Sequence, residues 1–469
     1  MDPALNPQNT REILHRLSGA NRRYAEAYPG DRADRQPVHT VYGGAHLFKA
    51  DIAAKLGAAA QRALEEYAPD PITFAAAIGL GGSETGAATD GKGAPPARES
   101  EALARAVYAR VIEKLGREPV EDYRIDFEDG YGNRPDAEED AHAHACAEEV
   151  TRGMVARALP PFLGIRIKTL SEELRGRALR TLDLFVGALA ARTAGALPPN
   201  FVVTIPKITS PEQVLTVVEA CELIERARGL KPGVLALELM VETPQSIFAW
   251  DGALALPRLV AAARGRCRGA HFGTYDYTAG LGITAMYQLP SHIACDFARH
   301  VMQVSLAGTG VMLSDGATTV MPVGPHRAAR GEALTAAQLG ENRRAVHRAW
   351  RIHYDDVRMS LRNAYYQGWD LNPAQLPTRY AAVFAFFLES RVEAGARLKA
   401  FVDKAAQATL LGSIFDDAAT GQGLLNFFLR GLSCGALTEE EALATGLSLE
   451  ELRGRSFVKM LNARRAAGR

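Results

Sequence analysis

Five short apolar runs each close on a charged residue. Gly164-Ile165-Arg166 ends on a guanidinium and Val203-Thr204-Ile205-Pro206-Lys207 on an ammonium. Leu239-Met240-Val241-Glu242, His271-Phe272-Gly273-Thr274-Tyr275-Asp276 and Val311-Met312-Leu313-Ser314-Asp315 end on carboxylates. These charges recur every 34 to 41 residues. Carboxylates gathered beside an arginine and a lysine can hold a hard divalent cation together with an anionic substrate.

Glu242 and Asp276 are the candidate metal ligands. Mg2+ takes one or two carboxylates, and water and substrate oxygens complete its shell. The alternative for both is a salt bridge to a neighbouring helix. Arg166 is the candidate for gripping a substrate carboxylate, because a planar guanidinium does so with two parallel bonds. Lys207 could stabilise an oxyanion, hold one of the metal carboxylates, or form a Schiff base. An ion pair is the structural alternative for both cations. Asp126, Glu128 and Asp129 form an acidic cluster, with Asp126 and Glu128 on one face of a strand and Asp129 on the other. One of these could hold a metal-bound water or orient Arg166, and Glu128 and Asp129 are candidate substrate contacts. A solvated acidic turn explains the cluster equally well. His46, after Gly43-Gly44-Ala45, could act as a general base or bind an anion; a capping or packing histidine is its bland reading.

Residues 79–93 are rich in glycine, and Gly86 to Lys92 matches GxxxxGK. Gly93 replaces the hydroxyl that would reach Mg2+, and Ala94-Pro95-Pro96 stands where a helix should begin, so the phosphate-loop reading fails. The expectation for residues 79–96 is a mobile loop that closes over a site.

A charge at the end of each strand, repeated with helices between, is the pattern of a (β/α)8 barrel, whose catalytic mouth is built at the carboxyl ends of the strands. Eight strands are predicted, at 37–44, 123–129, 162–168, 201–207, 235–242, 269–276, 309–315 and 366–372. Helices are predicted at 171–193, at 211–229 with Ser210 as N-cap, and at 257–264. The predicted organisation is an N-terminal arm over 1–36, a TIM barrel over 37–380 interrupted by an insertion at 70–121, and an all-helical region over 381–469. The stretch Leu437-Thr438-Glu439-Glu440-Glu441 reads as a helix start.

The 469 residues exceed one barrel of about 250, which calls for added segments. Lys+Arg and Asp+Glu both number 54, so no bulk charge attracts nucleic acid or a membrane surface. No apolar run is long enough to span a bilayer, and no secretory signal is visible at the start. The five cysteines are scattered without a CxxC pair, which fits reduced thiols in a cytoplasmic protein and argues against a zinc site.

Taken in order, six motifs resemble the HpcH/HpaI aldolase and citrate lyase β-subunit (CitE-like) family. They are Asp126-Phe127-Glu128-Asp129, Ile165-Arg166-Ile167, Ile205-Pro206-Lys207, Val241-Glu242-Thr243, Phe272 to Asp276 with Leu281-Gly282, and Asn372-Pro373-Ala374-Gln375. The resemblance covers roughly residues 37–380. It implies a Mg2+- (or Mn2+-) dependent carbon–carbon lyase of the phosphoenolpyruvate/pyruvate barrel superfamily, working through an enolate. Glu242 and Asp276 match that family's metal carboxylates, and Arg166 matches its substrate arginine. The expected ligand is a small carboxylate, a 2-keto acid or a coenzyme A thioester, in a homo-oligomer. The family's Arg-Val-Asn is here Arg166-Ile167-Lys168, and its Ile-His-Pro is Leu371-Asn372-Pro373. The glycine that shortly follows its Glu-Thr is absent from Glu242-Thr243-Pro244-Gln245-Ser246. These departures mark a divergent branch and leave the substrate open. Two other classes stay open at this stage: a phosphotransferase handling phosphoenolpyruvate, and a binding protein that kept the fold without catalysis.

Overall fold

The computed structural model describes residues 4–32, 34–81, 97–328, 332–403, 409–411, 414–416, 418–454 and 460. Most of the glycine-rich stretch 79–96, residues 82–96, therefore lies outside the described residues, and with it the expected closing loop.

Eight parallel strands close into a barrel in sequence order: β1 His39–Gly44, β2 Asp122–Asp126, β3 Phe162–Arg166, β4 Phe201–Ile205, β5 Ala236–Val241, β6 Cys267–Phe272, β7 Met312–Ala317 and β8 Gln367–Asp370. β8 pairs back onto β1, with Thr40 opposite Trp369. Every strand is followed by a helix that packs outside it, among them Asp136–Ala156 after β2, Pro211–Arg228 after β4, Ile293–Leu306 after β6 and Ala336–Arg362 after β7. This is a (β/α)8 TIM barrel, as the strand-end pattern predicts.

Side-chain alternation explains why these segments are strands. Ile125, Ile165, Val203, Leu237, Leu239 and Phe272 are fully buried in the layer beneath the helices. The residues between them face the barrel axis, and many are polar. Arg124 of β2 spans the interior to Glu238 of β5, donating from Nη2 at 2.6 Å and from Nε at 3.0 Å. It also binds Asp122, and Thr204 of β4 accepts from its Nε at 3.1 Å. Gly164 makes room for this arginine: a Cβ there would lie 2.4 Å from the Val202 carbonyl and 3.1 Å from Arg124 Cδ.

The insertion folds as two helices. Pro71–Ile78 is capped by Asp70, which accepts from the N–H groups of Ile72 and Thr73 at 3.0 and 2.9 Å, and Ala97–Arg117 follows. Phe74 meets Trp350 of the β7 helix edge-on, 5.6 Å between ring centroids. Ser210 does stand at the N-cap of Pro211–Arg228, but its side chain makes no capping bond. Thr438 begins Glu439–Leu443 with a full capping box. The helix Leu376–Asp403 runs across the expected boundary at 380. Beyond it lies an antiparallel pair of strands, Thr409–Leu411 with Ile414–Asp416, where the sequence reading expects helix alone. No described helix is long and apolar enough to cross a membrane.

Candidate active site

The upper rim of the barrel, where β2 to β6 end, collects the charges. Arg166, the last residue of β3, is fully buried. It holds Asp126, its register partner on β2, with a two-pronged grip: Nε at 2.7 Å and Nη2 at 2.5 Å. Asp126 also accepts from the backbone N–H groups of Glu128 at 2.9 Å and Gly130 at 2.7 Å. Its oxygens are thus saturated, and of the two roles open to it in sequence the structure matches the orientation of Arg166. The third guanidinium nitrogen, Nη1, stands 3.1 Å from Glu128 Oε2 and 3.9 Å from Asp129 Oδ2. That is charge contact without hydrogen-bond alignment, since both Nη1 and Oε2 lack a hydrogen-bond partner. The guanidinium plane lies over Tyr42 and Trp369, at 4.8 and 5.6 Å from their centroids.

Lys207 follows β4 in a left-handed backbone conformation, φ 49°. Its ammonium donates to Glu128 and to both oxygens of Asp129 at 3.0 and 2.8 Å, and stands 3.6 Å from Asp276. Burial disfavours that charge, but the Glu128 and Asp129 carboxylates outweigh burial and hold the lysine above its ordinary value. Its backbone N–H donates to Glu242 Oε1 at 2.7 Å. Glu242, the residue after β5, is almost fully buried, and its side chain lies against Gly273, where a Cβ would meet Glu242 Cβ at 2.4 Å and Oε2 at 2.5 Å. Burial pushes its carboxyl up to about 7; Arg166 pulls it down and Asp276 adds to the rise. Burial likewise raises Glu128, against the pull of Arg166. For Asp129 burial is outweighed by Lys207, and the group is lowered.

The structure thus brings together Arg166, Lys207, Glu128, Asp129, Glu242 and Asp276. Two expectations need correction. Asp276 does not close a strand: β6 ends at Phe272, and Asp276 lies in the first turn of helix Thr274–Gly280, 42% exposed. Asp315 does not face the mouth. β7 continues to Ala317, and Asp315 is bound by Arg299 at 3.2 Å and Ser360 at 2.6 Å on the helix side. His46 sits in the turn Ala45–Leu47 with the rings of Tyr131 and His142, at 5.7 and 6.4 Å, and its described contacts do not include the metal pair. Burial, with Arg134 and His142, holds it below the usual histidine value. The sequence reading also passed over Tyr42 and Trp369, which the pairing of β8 with β1 brings together in the barrel interior.

The departures from the family motifs have local uses. Lys168 donates to the carbonyls of Phe127 at 2.9 Å and Gly132 at 3.2 Å, so it clamps the turn carrying Glu128 and Asp129. Asn372 caps the turn Pro373–Gln375.

Five carboxylates, Asp126, Glu128, Asp129, Glu242 and Asp276, face two cations, Arg166 and Lys207. Among the described residues no group of three or more His, Cys, Asp or Glu forms a metal cage. A two-carboxylate site with hard oxygen donors and surplus negative charge fits a cation that keeps water and substrate in its shell.

Residues 17–460 match the family described as a domain of unknown function, DUF6986. The chain belongs to the DUF6986 family. No curated protein matches this DUF6986 chain. Among solved structures, a citrate lyase from Burkholderia xenovorans LB400 is similar at 18% identity and TM-score 0.52, covering 72% of this chain and 92% of that one. CitE from Mycobacterium tuberculosis, in complex with magnesium, acetoacetate and coenzyme A, is similar at 15% identity and TM-score 0.43, covering 70% and 95%. Haloferax volcanii malate synthase, as a magnesium/glyoxylate complex, is similar at 16% identity and TM-score 0.40, covering 75% and 76%. At such identities the first of these supports the barrel fold of this DUF6986 member.

Proposed function

We propose that this DUF6986 protein is a Mg2+-dependent carbon–carbon lyase acting on a 2-keto acid or acyl-CoA type substrate. One observation carries the reading: Glu242, a buried carboxyl raised to about 7, stands with Asp276 beside Arg166, whose Nη1 is in charge contact with Glu128 but makes no hydrogen bond. A buried acid with so costly a charge is poised to accept a cation. The solved structures of citrate lyase, CitE and malate synthase are consistent with it through fold, and two of them hold magnesium beside small carboxylates.

Glu242 and Asp276 would hold a Mg2+ ion, which would supply stabilisation of the negative charge on an enolate oxygen. Asp126 fixes Arg166 so that Nη1 meets the substrate carboxylate or the developing oxyanion. Lys207 keeps Glu128 and Asp129 in place. In the retro-aldol direction a carboxylate takes the β-hydroxyl proton, the C–C bond breaks, and its electron pair moves into the enolate, which is later protonated at carbon. Glu128 is better placed than His46 to take that proton, since it touches both Arg166 and Lys207. Calorimetric titration with Mg2+, with and without oxaloacetate or pyruvate, tests the reading. The expected result is tighter keto-acid binding with Mg2+ present, lost in Glu242→Ala and Asp276→Ala; unchanged binding in both variants sinks it.

A further inference from the structure

The upper layer of the barrel holds donors without acceptors. Arg166 Nη1, Trp369 Nε1 and Thr274 Oγ1 are each shielded from solvent and make no hydrogen bond. The hydroxyl of Tyr42 reaches only the thioether of Met240, at 3.6 Å, which is a weak acceptor. Native proteins pair the great majority of buried polar atoms, so a cluster of orphans calls for a ligand or water. Arg166, Tyr42 and Trp369 are in mutual contact. Arg166 lies over both aromatic rings, which stand 4.2 Å apart, and Thr274 follows the Gly273 on which Glu242 rests.

The chemistry of the cluster is one-sided. A guanidinium and an indole only donate. A ligand oxygen that meets both must accept twice, and a charged carboxylate oxygen does so more strongly than a hydroxyl or an ester oxygen. The Tyr42 and Trp369 rings, tilted 39° to each other, make the wall behind that oxygen apolar.

Building on the lyase reading, we infer that Trp369 is a specificity-determining residue, its indole N–H donating to a carboxylate oxygen of a 2-keto acid that Arg166 also grips. Trp369, the third residue of β8 and read in sequence only as strand, thereby becomes the neutral half of a carboxylate receptor. The ring does two jobs: it supports the Arg166 plane, and it offers a donor with no charge to be solvated when the site is empty.

The test uses the full chain and Trp369→Phe, which keeps the ring and its stacking and removes the N–H. Pyruvate and its methyl ester are the probes, each with Mg2+, followed by calorimetry. A hydrogen bond to a charged group changes affinity by about tenfold or more. The variant should bind pyruvate about tenfold more weakly, bind methyl pyruvate as the native protein does, and keep the native Mg2+ response. A second measurement does not depend on that variant folding. Trp250 is almost wholly exposed and Trp350 is fully buried in the helix layer, so in Trp250→Phe protein pyruvate should quench emission from Trp369. Native pyruvate affinity in Trp369→Phe, or no quench on saturation, overturns the role of Trp369 and leaves the lyase reading standing. If the native protein binds neither pyruvate nor oxaloacetate with Mg2+, the lyase reading falls and this inference falls with it.

Discussion

Glutamine in place of Glu242 should make the metal-free protein more stable and blind to Mg2+. Glu242 titrates at about 7 in the folded chain against an ordinary 4.5, with burial the main cause. That gap is worth about 3 kcal/mol in favour of the protonated form. The folded-state value is raised, so the sign follows directly. Below the unfolded value both states hold the proton and nothing is lost. Between about 4.5 and 7 the unfolded chain has released its proton while the folded chain keeps it, so stability falls as pH rises. Above about 7 the folded protein carries the whole penalty of a buried charge. Glutamine has no proton to release, and its carbonyl can still accept the Lys207 N–H that now reaches Glu242 Oε1 at 2.7 Å.

Metal-free Glu242→Gln should therefore exceed the native protein in stability by up to about 3 kcal/mol near pH 8, and match it near pH 4. Denaturant melts across that range read the difference. Millimolar Mg2+ should then stabilise the native protein at the alkaline end and leave the variant unmoved, because binding to the folded state alone adds stability. A variant no more stable than the native chain at high pH would refute the buried-charge argument. A variant that still responds fully to Mg2+ would refute the metal assignment.

Arg166→Lys cannot reproduce the two-pronged grip on Asp126, and turnover should fall about 100-fold or more with Mg2+ affinity kept; native kinetics on any substrate found would exclude the role. Gly273→Ala places a methyl 2.4 Å from Glu242 Cβ, so it should cost about 1–3 kcal/mol and abolish the Mg2+ shift in a melt, whereas a retained shift would mean Glu242 is free to move without consequence. Lys207→Gly and Lys207→Ala both remove the ammonium, but only alanine keeps the strain of φ 49°, so glycine should be the more stable by about 1 kcal/mol in paired denaturant melts.

The barrel was legible because most strands carry buried apolar residues on their outer face, and a charge stands at or within two residues of the end of β2, β3, β4 and β5. Arg166 and Glu242 were found for that reason, at or next to a strand end. Asp276 was found by position but assigned to the wrong element: Gly273 begins the following helix without a side-chain cap, so no local signal marked the change. Asp315 misled because the run was cut short. With β7 reaching Ala317, its parity turns toward Arg299 and the helices. The antiparallel pair Thr409–Leu411 and Ile414–Asp416 has strands of three residues, too short to show a period of two. Tyr42 and Trp369 were invisible as site residues because an aromatic inside a strand reads as core filling, and only the closure of β8 onto β1 brings them together.

Closure also sets two similar arginines one layer apart, with different consequences. Arg124 sits opposite Gly164 in the β2–β3 register, and Arg166 opposite Asp126 one layer higher. Each is buried and each is flanked by carboxylates, so sequence and burial do not distinguish them. Hydrogen bonding does. All three nitrogens of Arg124 are engaged, by Asp122, Thr204 and Glu238, whereas Arg166 keeps Nη1 without a hydrogen bond. Nη1 keeps the Coulombic pull of Glu128 at 3.1 Å but forgoes the aligned hydrogen bond that Arg124 makes with each of its nitrogens. The lower arginine is thus a brace across the barrel. The upper one holds Asp126 with two nitrogens and leaves Nη1 in charge contact with Glu128, and it is this nitrogen that the proposed lyase chemistry assigns to the substrate.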